Sequence, residues 1–207
     1  NIVLDDDAFA KGVGRGVARR AHRAVREPAA RHPAARTLML YAVDVDYREA
    51  GAVAGALGFS VWTAGVAATT TVVTLAPGQY GEYVPGQLYL RELPCLLAVL
   101  AAVPVPATAV VIDGYVWLGD EVPGLGARLH AALGGGVPVV GVAKTRYLSA
   151  TEAVEVRRGS SASPLFVSAV GMSADAAAAA VASMHGAHRL PVLLKQADRL
   201  CRDHRSS

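Results

Sequence analysis

Apolar positions along the chain cluster into blocks separated by Gly, Pro and charged residues, and each block has a recognisable period. Residues 5–27 begin with polar Asp, are rich in Ala and Arg, and stop before Pro28, which predicts a helix. A Pro/Arg linker over 28–36 follows. Residues 37–45 are apolar at nearly every position, the signature of a central strand covered on both faces. Two β-rich segments, 52–62 and 64–76, predict an antiparallel meander, followed by a Gly/Pro/Tyr loop from Pro77 to Gly86. Helical composition returns over 87–102. A short buried strand over 108–112 ends at Asp113, and a helix over 124–133 is closed by Gly134 to Gly136. A third buried strand, 138–143, ends near Lys144. The polar, Ser-rich stretch 157–164 predicts a mobile loop. A strand over 165–168 and helices over 173–185 and 191–204, the last introduced by Pro191, complete the pattern. There are no repeats. Helix, three β segments and then alternating helix and strand predict an α/β fold, one mixed sheet with helices on both faces.

Composition narrows the class. Of 207 residues, 53% are hydrophobic, 18% charged and only 6% aromatic, enough for a sizeable core built mainly from Ala, Val and Leu. We expect one domain over 1–207, with 1–36 an N-terminal helix and linker and 187–207 a basic C-terminal helix. The uncharged run 50–81 is broken by five residues, Gly51, Gly55, Gly58, Gly65 and Pro77, and 93–112 contains Pro94, Pro104 and Pro106. Neither suits a membrane span. The polar, Asp-rich start gives no sign of a signal peptide. Cys95 and Cys201 have no metal-ligand spacing, so a cytoplasmic location is expected.

Net charge is only +3, but it is unevenly spread: residues 1–36 carry eight basic and four acidic residues, 185–207 five and two, and the middle seven and eleven. Basic ends around an acidic centre suit an anionic polymer held over a metal-loaded site; solvated helix faces give the same pattern.

The central acids carry the chemistry. Asp44 interrupts an apolar strand, Asp113 ends another before Gly114, and Glu92 sits on a helix within Leu90-Arg91-Glu92-Leu93. An acid in a buried strand is costly unless paired or metal-bound, and ligand sites in open α/β sheets lie at the carboxyl ends of strands. Three carboxylates meeting there repel one another until a hard divalent cation relieves them. Ordinary strand-end acids bonded to loop amides are the alternative. Asp46 shares a sheet face with Asp44 and either widens the site or caps the strand at the surface, the latter being favoured.

In order and spacing, Ala42-Val43-Asp44-Val45-Asp46-Tyr47, Tyr83-Val84-Pro85-Gly86, Leu90-Arg91-Glu92, Val111-Ile112-Asp113-Gly114, Gly141-Val142-Ala143-Lys144 and His188-Arg189-Leu190-Pro191 resemble the endonuclease V family over nearly the whole chain. The resemblance implies a ribonuclease H-like fold, a mixed central sheet flanked by helices. It implies magnesium, with manganese as a substitute, held by Asp44, Glu92 and Asp113. The implied reaction cuts at the second phosphodiester 3′ to deoxyinosine in DNA, or near inosine in RNA, in DNA repair. It implies that Lys144 contacts the scissile phosphate or orients the attacking water. Tyr83, Pro85 and Gly86 become a wedge beside a flipped base. Arg91 reaches a phosphate or merely orients its helix. The family precedent is a monomer. Here Glu82 replaces the usual Pro before the wedge Tyr. Gly114 to Gly119 lacks the family's histidine, and Met172 stands where a second belongs. Asp175 compensates through a water or is a first-turn acid favoured by the helix dipole, the reading preferred.

The missing histidines motivate an alternative, a nuclease-fold module that binds modified or single-stranded nucleic acid without cutting. A nucleotide-dependent enzyme is disfavoured, because Gly124-Leu125-Gly126 and Gly134-Gly135-Gly136 match no phosphate-loop spacing, and no Gly-x-Ser-x-Gly elbow exists. The six histidines are scattered without zinc spacing. DNA and RNA are distinguished by contacts to the 2′-hydroxyl, which no residue type encodes.

Overall fold

The computed structural model describes residues 39–204. The predicted helix 5–27 and the linker after it lie outside the described residues. The elements run β1 (Leu40–Arg48), β2 (Gly51–Phe59), β3 (Thr69–Leu75), α1 (Tyr89–Ala102), β4 (Ala109–Asp113), α2 (Leu125–Ala132), β5 (Val139–Ala143), β6 (Val154–Val156), β7 (Leu165–Val170), α3 (Ala174–Ser183) and α4 (Val192–Asp203). They build one mixed sheet of seven strands in the order β3-β2-β1-β4-β5-β7-β6. The meander β1-β2-β3 is antiparallel, with a tight Glu49-Ala50 turn from β1 to β2 and a longer connection over 60–68 to β3, while β1, β4 and β5 run parallel through the centre.

The alternation of side chains along each strand divides the core. Tyr41, Val43, Val110 and Ile112 pack with Cys95, Leu96 and Val99 of α1 and Leu129 of α2. Their neighbours Leu40 and Ala42 point the other way, onto Leu193 and Ala197 of α4, and Val111 joins Val140 and Val142 against Ala177 and Val181 of α3. Helices therefore cover both faces, and the strands between them are apolar at almost every position for that reason. Helix α1 runs through Pro94. No described helix is long and apolar enough to cross a membrane.

Two features depart from the sequence pattern. The three-residue strand β6 was not expected, because Val-Glu-Val is too short to display a period. The Ser-rich segment after it is anchored rather than free. Arg158 is only 6% exposed, and its guanidinium donates to the carbonyls of Ala182, Met184, Gly186, His188 and Arg189. It thereby ties the β6–β7 turn to the carboxyl end of α3 and to the connector leading into α4.

Candidate active site

Strand register places the first two acids. Leu40, Tyr41 and Ala42 of β1 pair with Ala109, Val110 and Val111 of β4. Carrying that offset two residues on brings Asp44 level with Asp113 on the α3/α4 face. Both line a cleft with about 20 Å³ of free space, room for one water-sized occupant. Lys144, just past β5, lines the same cleft and donates from Nζ to Asp113 Oδ2 at 2.5 Å. Both partners are half exposed, so solvent weakens this ion pair.

Helix α4 completes the cleft with Leu194, Ala197 and Asp198. Asp198 escaped the sequence reading. It sits at the border of the α4 apolar face, four residues after Leu194, and it also pairs with Arg202 one turn on. The signal available was that border position, directly after the buried Ala197. The helix is fixed at its far end by Arg48, whose guanidinium donates to the carbonyls of Cys201, Arg202 and His204 at 2.5–2.8 Å. Asp46 accepts from Arg48 Nε at 2.8 Å, so it braces that clamp, in keeping with its surface reading. The Cys201 thiol donates to the Asp44 carbonyl at 3.1 Å. This approach depends on Gly55, the β2 partner of Asp44, where a Cβ would stand 2.8 Å from Cys201 Sγ.

Glu92 comes from the opposite layer, on α1. Burial, then the charges of Asp44 and Asp113, push its carboxyl up to about 7. Burial likewise raises Asp44 to about 6, against the opposing bond from Val45 N–H at 2.9 Å, with Asp113 and Asp198 adding repulsion. Asp113 links the two layers, since it also lines a second cavity of about 270 Å³ together with Gly86, Tyr89, Glu92, Tyr115 and Tyr147. The acids thus lie within electrostatic reach of one another, but among the described residues no three His, Cys, Asp or Glu side chains close to metal-cage distances.

The other expected residues separate into two groups. Tyr83 is 62% exposed on the loop before α1, and Gly86 turns there with φ of 77°, a conformation that side chains other than glycine adopt at a cost. Arg91 is turned inward, its guanidinium 3.9 Å from the centroid of the Tyr47 ring and 5.6 Å from that of Tyr80. Met172 packs against the α3-side core, and Asp175 lies in the first turn of α3, where Ser173 caps the helix through Ala176 N–H. His130 bonds the Val137 carbonyl at 2.7 Å.

A mixed seven-stranded sheet sandwiched by helices, with Asp44, Asp113 and Lys144 at the carboxyl edge of its parallel strands, is an α/β fold of the ribonuclease H-like class. Comparison with known proteins specifies it. Residues 20–163 match the family model for endonuclease V. The curated endonuclease V of Streptomyces coelicolor is 32% identical over 182 residues, 77% of this chain and 76% of that one. The crystal structure of Streptomyces avermitilis endonuclease V superposes with a TM-score of 0.63 at 28% identity, covering 83% of this chain and 82% of that one. Endonuclease V of Ciona intestinalis, crystallised as a D234N variant with a 23mer DNA containing an inosine followed by a ribo-adenosine, shares the fold (TM-score 0.65, 17% identity, 80% of this chain and 84% of that one). The chain belongs to the endonuclease V family and is an endonuclease.

Proposed function

We propose that this endonuclease hydrolyses a phosphodiester on the 3′ side of a deaminated base, deoxyinosine in DNA with inosine in RNA as a second substrate, and that it needs magnesium or manganese to do so. The observation that carries the reading is the alignment of Asp44 and Asp113 on neighbouring parallel strands with Lys144 upon Asp113. The inosine-containing DNA bound by the Ciona relative supports the substrate. The donor chemistry fits the metal, because Asp44, Asp113, Asp198 and Glu92 offer hard oxygens, and Asp44 and Glu92, raised first by burial and then by the neighbouring acids, are groups whose ionised form a divalent cation would favour. Bound by these residues, magnesium supplies a polarised water and stabilises the leaving oxygen.

The chain's own groups do the rest. Lys144 sets a compact positive charge where the scissile phosphate gains negative charge. The cavity between α1 and Tyr147 receives the base, with Tyr83, Pro85 and Gly86 at the wedge that parts it from its neighbours. Arg91 supports α1 from Tyr47 rather than touching phosphate. We take the protein to act as a monomer in the cytoplasm, in DNA repair, and its two buried free thiols are compatible with a reducing compartment. The test is nicking of inosine-containing DNA and RNA oligonucleotides by purified protein with magnesium or manganese. Absence of any nick under both metals rejects the reading.

Two observations favour a second reading. The Lys144 ammonium already neutralises Asp113, and the acids stand short of cage distances. A module that holds modified or single-stranded nucleic acid without cutting has the same geometry. Binding without cleavage, unaffected by Asp44→Ala, distinguishes it.

A further inference from the structure

The turn that leaves β5 carries Lys144 and is held by a side chain from another element. Tyr115, two residues past Asp113, donates its hydroxyl to the Thr145 carbonyl at 2.8 Å and accepts the Tyr147 N–H at 3.0 Å. Its ring lies 6.1 Å from that of Tyr147, tilted by 50°, and both rings line the 270 Å³ cavity. On the other flank Arg189 donates to the carbonyls of Lys144 and Pro164. The main chain around Lys144 is thus gripped by a guanidinium at its own carbonyl and by a phenol one and three residues on. The guanidinium belongs to the connector before α4, whereas the phenol belongs to the wall of the cavity.

We propose that Tyr115 is a positioning residue that couples the contents of this cavity to the placement of Lys144. The inference rests on the nuclease reading above. A base entering the cavity meets the Tyr115 and Tyr147 rings. Any shift of Tyr115 is passed through its two hydroxyl bonds to the segment 145–147, which moves Lys144 relative to Asp113. An occupant that leaves the ring pair in place leaves the ammonium aligned, and one that displaces it does not. Base choice is then read partly as rate rather than as affinity, since the hydroxyl touches the lysine's segment and not the base.

Tyr115→Phe removes the hydroxyl and keeps the ring, so it separates the tether from the cavity wall. With magnesium and an inosine-containing oligonucleotide, kcat is expected to fall about tenfold, the scale of a lost hydrogen-bond pair, while KM stays within about twofold. In a Lys144→Ala background the same substitution is expected to cost less than about twofold, because the group it positions is gone. Amide exchange in protein free of metal and oligonucleotide supplies a second readout. The Tyr147 N–H is expected to exchange about tenfold faster in Tyr115→Phe than in the parent. An unchanged kcat, a rise confined to KM, an unaltered Tyr147 amide, or a full tenfold loss retained in the Lys144→Ala background each overturns the coupling while leaving the nuclease reading intact. Full-rate nicking by Lys144→Ala removes the lysine's role and the coupling with it, whereas absence of any nick by the parent under magnesium or manganese removes the nuclease reading itself.

Discussion

Asp44 is an acid that the fold accommodates against its own interest. Burial holds its carboxyl at about 6 and that of Glu92 at about 7, both above the ordinary carboxylate range. A raised acid means that folding disfavours the ionised form. Stability of metal-free protein is therefore lowest above pH 7 and rises as pH falls through about 7 and 6 toward the unfolded values near 4. Thermal melts in EDTA should show a melting temperature several degrees higher at pH 5 than at pH 8. Asp44→Asn should flatten part of this dependence and raise the pH 8 melting temperature by a few degrees, while cutting the nicking rate by roughly a hundredfold or more. A variant that gains stability as it loses activity is the mark of a residue kept for chemistry. Sequence alone pointed to Asp44 and Asp113 because an acid in an apolar strand needs a reason. It did not point to Asp198, whose pairing with Arg202 looks like any surface helix pair and whose second neighbour, Asp44, is far away along the chain.

At the level of elements, two arginines secure α4, the helix that walls the cleft: Arg48 at its carboxyl end and Arg158 at the connector before it. Arg158 gathers five carbonyls at the end of α3 and in the connector to α4. Replacing it with Met strands those acceptors and is expected to cost about 3 kcal/mol, measured by urea denaturation. Gly55 bears on the site from the other end. Gly55→Ala drives a methyl toward Cys201 Sγ and Leu200 and must displace the side chains that seat α4 on β2. We expect it to lower nicking by about tenfold with a smaller loss of melting temperature, because the helix they seat carries Asp198. Apolar patterning and its breakers made ten strands and helices readable from β1 to α4. Strand β6 has too few residues to show a period, and the anchoring of the Ser-rich turn depends on Arg158, whose acceptors lie 24–31 residues further along the chain. Local composition reports polarity there and cannot report tethering.

At the scale of the molecule, acids converge on an edge where an anionic polymer must also settle. Net charge is small, so the pull on nucleic acid comes from individual cations rather than from an overall field. Binding of a non-cleavable inosine oligonucleotide in EDTA should weaken steeply with salt, with a log–log slope of about −3 or steeper. A flat dependence would mean that few phosphates are engaged. The sequence order of elements was enough to infer one mixed sheet with helices on both faces. The register that sets Asp44 beside Asp113 was not, because pairing offsets are fixed by which residues of β1 and β4 share a core layer.

The acids of the cleft are contributed at positions 44, 113 and 198, by β1, β4 and α4, with Glu92 of α1 near them in the opposite layer and α4 the last of the described elements. During synthesis the sheet can assemble while the helix bearing Asp198 is still within the ribosome. A nascent chain of this kind carries a scaffold before its cleft has all its walls, since the wall that bears Asp198 is added only when α4 docks.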